Sequence, residues 1–160
     1  MADDRIEKSA VLRAPLDRVW RAISDSAEFG TWFGMVIEGP FVPGVTVQCV
    51  MGETVVDDAV AAQQSEYAGE RFPLHIVAVE PPRQFSFRWN PVPGQEYADL
   101  TTLVEFTLSE VDDGVLLEIV ESGFDAVPEE HRATAFGNND QGWAEQLRMV
   151  AGYVTAESRA

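Results

Sequence analysis

The strongest constraint on the fold is a pair of alternating apolar runs on either side of Asp113-Gly114. Before it, Leu100, Thr102, Val104, Phe106 and Leu108 fall at every second position. After it come Val115, Leu117, Ile119 and Glu121, again at every second position. Side chains alternate faces along a strand, so each set occupies one face. An Asp-Gly pair between two such runs predicts a β-hairpin. The second run raises a question of its own, because its drier face ends in a carboxylate, Glu121.

Other segments extend the pattern. "RIEKSAVLRAP" alternates Ile6, Lys8, Ala10 and Leu12 and reads as a first strand. Pro15 suits the first position of a helix, and Leu16, Val19, Trp20 and Ile23 form an apolar helical stripe. Ser24, Asp25 and Ser26 offer caps for a second short helix through Phe29, with Gly30 expected to end it. "TWFGMVIEG" is expected to open a strand, and "VTVQCVMGETVV" to form another, interrupted by Gly52. "DDAVAAQQSEYAG" has no clean period. "RFPLHIVAVE" and "QFSFRWN" read as strands, the first beginning near an edge or bulge because of Pro73, the second closed by "PVPG". Beyond Phe124 the period becomes helical. Pro128 opens a short turn, Gly137 separates it from a longer helix capped by Asn138, Asn139 or Asp140, and Trp143, Leu147, Val150 and Val154 mark its apolar stripe.

The resulting order is strand, helices, some six further strands, and one long helix. Strands in series with segregated helices indicate an α+β fold. A sheet curved at bulge-type glycines can wrap a last helix on its concave side. The 160 residues, 46% of them hydrophobic, suit one domain, 1–160.

Composition excludes several functions. The net charge is −16, with 27 acidic against 11 basic residues, which repels phosphate backbones and anionic headgroups. No nucleic acid and no membrane is therefore expected as a partner. "MADDRIEKSA" has no apolar targeting core, and the single cysteine, Cys49, allows no internal disulfide, so a cytoplasmic protein is expected. Cys49 lies in an apolar strand and is expected to be buried and inert. One cysteine and two isolated histidines, His75 and His131, do not have the spacing of a zinc site, so no metal is expected. No Gly-x-Gly-x-x-Gly or phosphate loop occurs, and no cofactor is expected.

The pieces "APLDRVWRAI" (14–23), "WF" (32–33), "VEPPRQFSFRW" (79–89), "LVEFTL" (103–108), "ESGF" (121–124) and "GWAEQLRMVAGYV" (142–154) occur in the order and spacing of a known family. The chain resembles the Aha1-like domains, homologues of the heat-shock-chaperone ATPase activator, within the START-like (SRPBCC, helix-grip) superfamily. The resemblance implies a curved antiparallel sheet gripping a long C-terminal helix, with two short helices after the first strand. It also implies a small hydrophobic molecule as ligand, an aromatase or cyclase as the enzymatic alternative, and a chaperone as a further partner through the acidic surface. The full co-chaperone has a separate N-terminal domain that this chain does not show, which favours ligand binding. A monomer and a homodimer are both compatible with the sequence.

The candidate ligand-binding residues are Trp32, Phe33, His75, Phe87, Trp89, Phe106, Leu117, Ile119, Glu121, Trp143 and Leu147. Most are aromatic or aliphatic, as pocket linings are. Glu121 and His75 are the polar pair. A carboxylate in an apolar cavity can hold a ligand hydroxyl or amine, or serve as acid or base with a second group. The resemblance places "ESGF" at the end of the last strand, which implies that Glu121 lies near one end of the gripped space, under the helix near Trp143 or the amide cluster of Asn138, Asn139 and Gln141.

Overall fold

The computed structural model describes residues 5–92, 97 and 99–158. Strand β1 (Arg5–Leu12) leads into α1 (Leu16–Ser24) and α2 (Ser26–Phe33). Next come β2 (Met35–Ile37), β3 (Thr46–Met51) and the short α3 (Asp58–Gln64) with a 3-10 turn at Ser65–Tyr67. Four long strands follow, β4 (Arg71–Glu80), β5 (Gln84–Trp89), β6 (Thr102–Val111) and β7 (Gly114–Ser122). A 3-10 turn at Phe124–Ala126 then leads into α4 (Glu129–Ser158).

The sheet has seven strands in the order β1-β7-β6-β5-β4-β3-β2, and every neighbouring pair is antiparallel. Strands β2 to β7 form a meander, and β1 joins its far edge by pairing with β7. The architecture is α+β, a helix-grip fold with α4 against the inner face. Apolar alternation explains the inner face directly: Thr102, Val104, Phe106 and Leu108 on β6, and Val115, Leu117, Ile119 and Glu121 on β7, are all buried. Helix α4 answers with Trp143, Val150 and Val154 buried and Leu147 half-buried.

The middle of the space between helix and sheet is filled by rings. Phe29 is fully buried, with centroid separations of 4.7 Å to Trp32, 5.6 Å to Phe41, 5.8 Å to Phe106, 6.0 Å to Phe85 and 6.4 Å to Phe87. Tilted and edge-on packing of this kind adds favourable quadrupole contacts to apolar burial.

Several local expectations are corrected. Helix α2 continues through Gly30 to Phe33 and ends at Gly34, so "TWF" is helical and only Met35–Ile37 is strand. Gly30 serves close approach instead: a Cβ there would lie 2.2 Å from the Met35 carbonyl oxygen, where the chain doubles back over the helix. The aperiodic segment contains α3, started by Asp57, whose carboxylate accepts from the Ala59 and Val60 amides at 2.8 and 3.1 Å. Strand β4 is interior, and its irregularity falls between Ile76 and Ala78, beyond Pro73. In the hairpin, Val111 pairs with Gly114, so the turn itself is Asp112-Asp113. Gly114 starts β7 with φ 147°, and a Cβ there would sit 2.1 Å from the Leu12 carbonyl oxygen of β1. Of "PVPG", Pro93 and Gly94 lie outside the described residues.

The largest correction concerns α4, which runs unbroken through Gly137 and Gly142. An interior glycine costs a helix about 1 kcal/mol relative to alanine, which burial of Trp143, Met149, Val150 and Val154 outweighs. Asn138, Asn139 and Asp140 are therefore mid-helix residues and cap nothing.

Candidate binding cleft and its buried carboxylate

The site forms where three strand ends meet α4. Trp89 is the last residue of β5, Thr102 the first of β6, and the two are paired in register. Glu121 lies one residue from the end of β7, opposite Val104 on β6 and Ile6 on β1, both buried. Above them, α4 places Asn139 and Trp143 four residues apart, hence on one helical face.

Glu121 is fully buried. Its Oε1 accepts from Trp143 Nε1 at 2.8 Å and Asn139 Nδ2 at 2.9 Å. Its Oε2 accepts from Trp89 Nε1 at 2.9 Å, Thr102 Oγ1 at 2.5 Å and Asn139 Nδ2 at 3.1 Å. None of these partners is cationic. A carboxylate deprived of water must be satisfied by donors, and an ionised one only accepts. Here two indoles, a hydroxyl and an amide meet that demand from two neighbouring strands and the helix. The arrangement locks sheet to helix and fixes both indole planes, with the Trp89 and Trp143 centroids 5.5 Å apart.

The Trp89 indole forms part of the wall of an open cleft of about 320 Å³, lined by Phe33, Met51, Tyr67, Glu70, Arg71, Phe72, Trp89, Asn90, Pro91 and Asn139. A second chamber of about 90 Å³ lies against the helix, lined by Phe33, Trp89, Asn138, Asn139, Gly142, Trp143 and Gln146. The two share Phe33, Trp89 and Asn139. Arg71 at the mouth is tied to Glu38 at 2.6 Å.

The structure sorts the candidate residues into four groups. Phe33, Trp89 and Trp143 line the cavities. Glu121 lines neither and sits behind the wall they make. Trp32, Phe87, Phe106, Leu117 and Ile119 are fully buried in the packed core, and Leu147 packs against its edge. His75 lies apart. Its neighbours Leu74 and Ile76 are buried on the inner face, so alternation turns His75 outward. Its Nδ1 is 2.8 Å from Thr46 Oγ1. Strand β4 is three places from β7 in the sheet, roughly 14 Å at the usual strand spacing. His75 and Glu121 therefore do not form an acid–base pair.

Sequence reasoning passed over Thr102 as a ligand of the carboxylate and offered Asn139 only as one of an amide cluster near it. Thr102 was visible as the one polar member of an apolar strand face, and Asn139 as the residue four before Trp143. Of the other cleft residues, Met51 and Phe72 continue the buried alternation of Val47 and Cys49 and of Leu74 and Ile76, whereas Tyr67 and Asn90 carried no periodic signal.

Cys49 is fully buried on β3, and burial, followed by the nearby Glu38 charge, pushes its thiol up to about 12. Thiolate is the reactive form. Iodoacetamide at pH 8 is expected to leave the folded protein unmodified and to alkylate it fully in denaturant. Rapid labelling under native conditions, read by intact mass, would contradict this placement.

Among the described residues, no helix is long and apolar enough to cross a membrane. The fold matches several solved structures. MLL2253 from Mesorhizobium loti superposes with a TM-score of 0.71 at 20% identity, covering 95% of this chain and 97% of that one. BH1534 from Bacillus halodurans gives 0.66 at 23%, covering 94% and 96%. DynU16, a protein of the dynemicin biosynthetic locus, gives 0.68 at 22%, covering 96% of this chain and 48% of its own, so this chain spans about half of its length. No curated protein matches the chain. A family model described as Activator of Hsp90 ATPase homolog 1-like protein matches residues 13–155. With nearly the whole chain matched and the helix-grip architecture in place, this protein belongs to that Aha1-like family of the SRPBCC superfamily.

Proposed function

We propose that the protein binds a small, largely hydrophobic molecule in the cleft between Phe33, Phe72 and Trp89, at the open end of the space gripped by sheet and α4. The observation that carries this reading is the cleft itself: about 320 Å³, walled by rings and joined to a smaller chamber. Its volume and its mix of aromatic surface with a few polar groups fit small-molecule sites in general. Phe33, Trp89 and Trp143 contact the ligand in this reading. Glu121 and Asn139 hold the indoles in place. Trp32, Phe87, Phe106, Leu117 and Ile119 form the packed floor.

A cyclase-type reaction would need titratable groups converging on the ligand. Both Glu121 oxygens are already engaged, His75 faces the other side, and of the titratable groups that line the cleft, Tyr67, Glu70 and Arg71, the last is tied to Glu38, so binding is the better-supported reading. The family's printed name and the −16 charge favour chaperone docking as a second reading. Capture by a chaperone at low salt, lost at high salt, would support it, and no capture at low salt would remove it.

Titration with the neutral fluorophore prodan tests the cleft. Saturable, blue-shifted emission is expected, and Phe72→Ala, which lies outside the Glu121 network, should weaken binding about tenfold by loss of ring contact. Emission that never saturates, or an affinity untouched by Phe72→Ala, would remove this site.

A further inference from the structure

Four rings gather at the cleft: Phe33, Tyr67, Phe72 and Trp89. Trp89 is the hub. Its centroid lies 6.1 Å from Phe33 and 6.4 Å from Phe72, with interplanar angles of 72° and 66°. Rings set this steeply to one another cannot all stack on one flat guest. They suit a rounded group instead. Phe72 and Trp89 are half-buried and Tyr67 is exposed, so ring surface remains open to such a guest.

The charge around these rings is one-sided. Arg71 is the one cation among the described residues lining the cleft, and Glu38 holds it at 2.6 Å. Glu70 lines the same cleft and has no ion pair among the described residues. Behind Trp89 lies Glu121, fully buried and met only by neutral donors. A carboxylate there has no counter-ion in the site, and its field is weakened less than it would be in water. The chain as a whole carries −16. Clefts lined by one sign of charge concentrate ions of the other sign.

We propose that the cleft selects a small hydrophobic cation, an organic ammonium whose alkyl groups sit against the faces of Trp89, Phe72 and Tyr67. This rests on the cleft reading above and adds the ligand class. An aromatic face attracts a cation through its quadrupole, while its area buries the alkyl groups. A quaternary ammonium answers both demands, because it is rounded, apolar at its surface and has no N–H to satisfy. Glu70 and the uncompensated Glu121 add attraction for the cation and repel anionic compounds of the same shape.

The test compares phenyltrimethylammonium with its neutral isostere tert-butylbenzene as displacers of prodan. In wild type the cation should bind about tenfold more tightly. The preference should persist within about twofold at about 0.5 M sodium chloride, where attraction to exposed charges is screened. Phe72→Leu and Tyr67→Leu each keep apolar bulk and lose a ring, and each should cut the preference about threefold. Equal binding in wild type, or tighter binding of tert-butylbenzene, is the behaviour of a purely apolar cleft and overturns the inference. A preference that vanishes in salt reflects diffuse surface charge and overturns it too, as does one unchanged in both leucine variants. Failure of prodan itself to bind removes the cleft reading instead.

Discussion

Replacing Glu121 by alanine is expected to lower the unfolding free energy by about 4 kcal/mol or more, at about 1–3 kcal/mol for each buried donor left unpaired. Trp89, Thr102, Asn139 and Trp143 all lose their acceptor in that variant. Domains of this size are stable by only about 5–15 kcal/mol, so the loss is a large share of the total. Glu121→Gln separates hydrogen bonding from bulk. It keeps one acceptor oxygen but turns an NH2 group toward indole or hydroxyl donors, and about 2 kcal/mol should be lost. Urea denaturation of the three proteins gives the ranking. A Glu121→Ala midpoint equal to wild type would mean that water reaches these donors freely, and that the carboxylate does not lock sheet to helix.

Phe29→Ala should cost about 3–5 kcal/mol through lost burial and a residual cavity. Phe29 joins α2 to rings from β5 and β6 and stacks on Phe33 at 5.3 Å, one of the residues shared by both cavities. For a chain of this length that corresponds to a fall in Tm of roughly 6–20 °C. Calorimetry showing a fall below about 2 °C would indicate that the surrounding rings collapse into the space. Prodan affinity should also drop, because Phe33 loses the ring that supports it. In Glu121→Gln the cleft should loosen at Trp89 and Trp143 instead.

Much of the fold was legible because burial imposes a period. The alternations from Thr102 to Leu108 and from Val115 to Glu121 survive in the structure, with Leu100 falling before β6 begins, and the Trp143–Val154 stripe is the face that α4 buries. The errors cluster where a local signal lost to packing. Gly137 reads as a helix break on propensity alone, yet the long helix passes through it because its ends are held by the sheet and the core. Gly30 reads as a terminator, whereas the close passage of Met35 is what requires it. Asp57, an N-cap, was hidden in a segment too short to show a period.

The candidate site was legible only in part. Parity placed Glu121 on the dry face, and chain order placed it near one end of the grip. The donors that satisfy it come from residues 89, 102, 139 and 143, and no local pattern links positions so far apart. Alternation could not tell His75 from its equally apolar-flanked neighbours. Register and burial put it on the outer face. The sequence by itself determined the order of the long strands and the closing helix, their inner faces, and the acid on the dry face, because these follow from side-chain periodicity and the exclusion of water. Tertiary structure alone decided which donors meet that acid and where the rings leave a cleft. Those depend on strand ends and helices converging in space, where the energetics of a buried polar group are set by its neighbours across the fold and not by its neighbours along the chain.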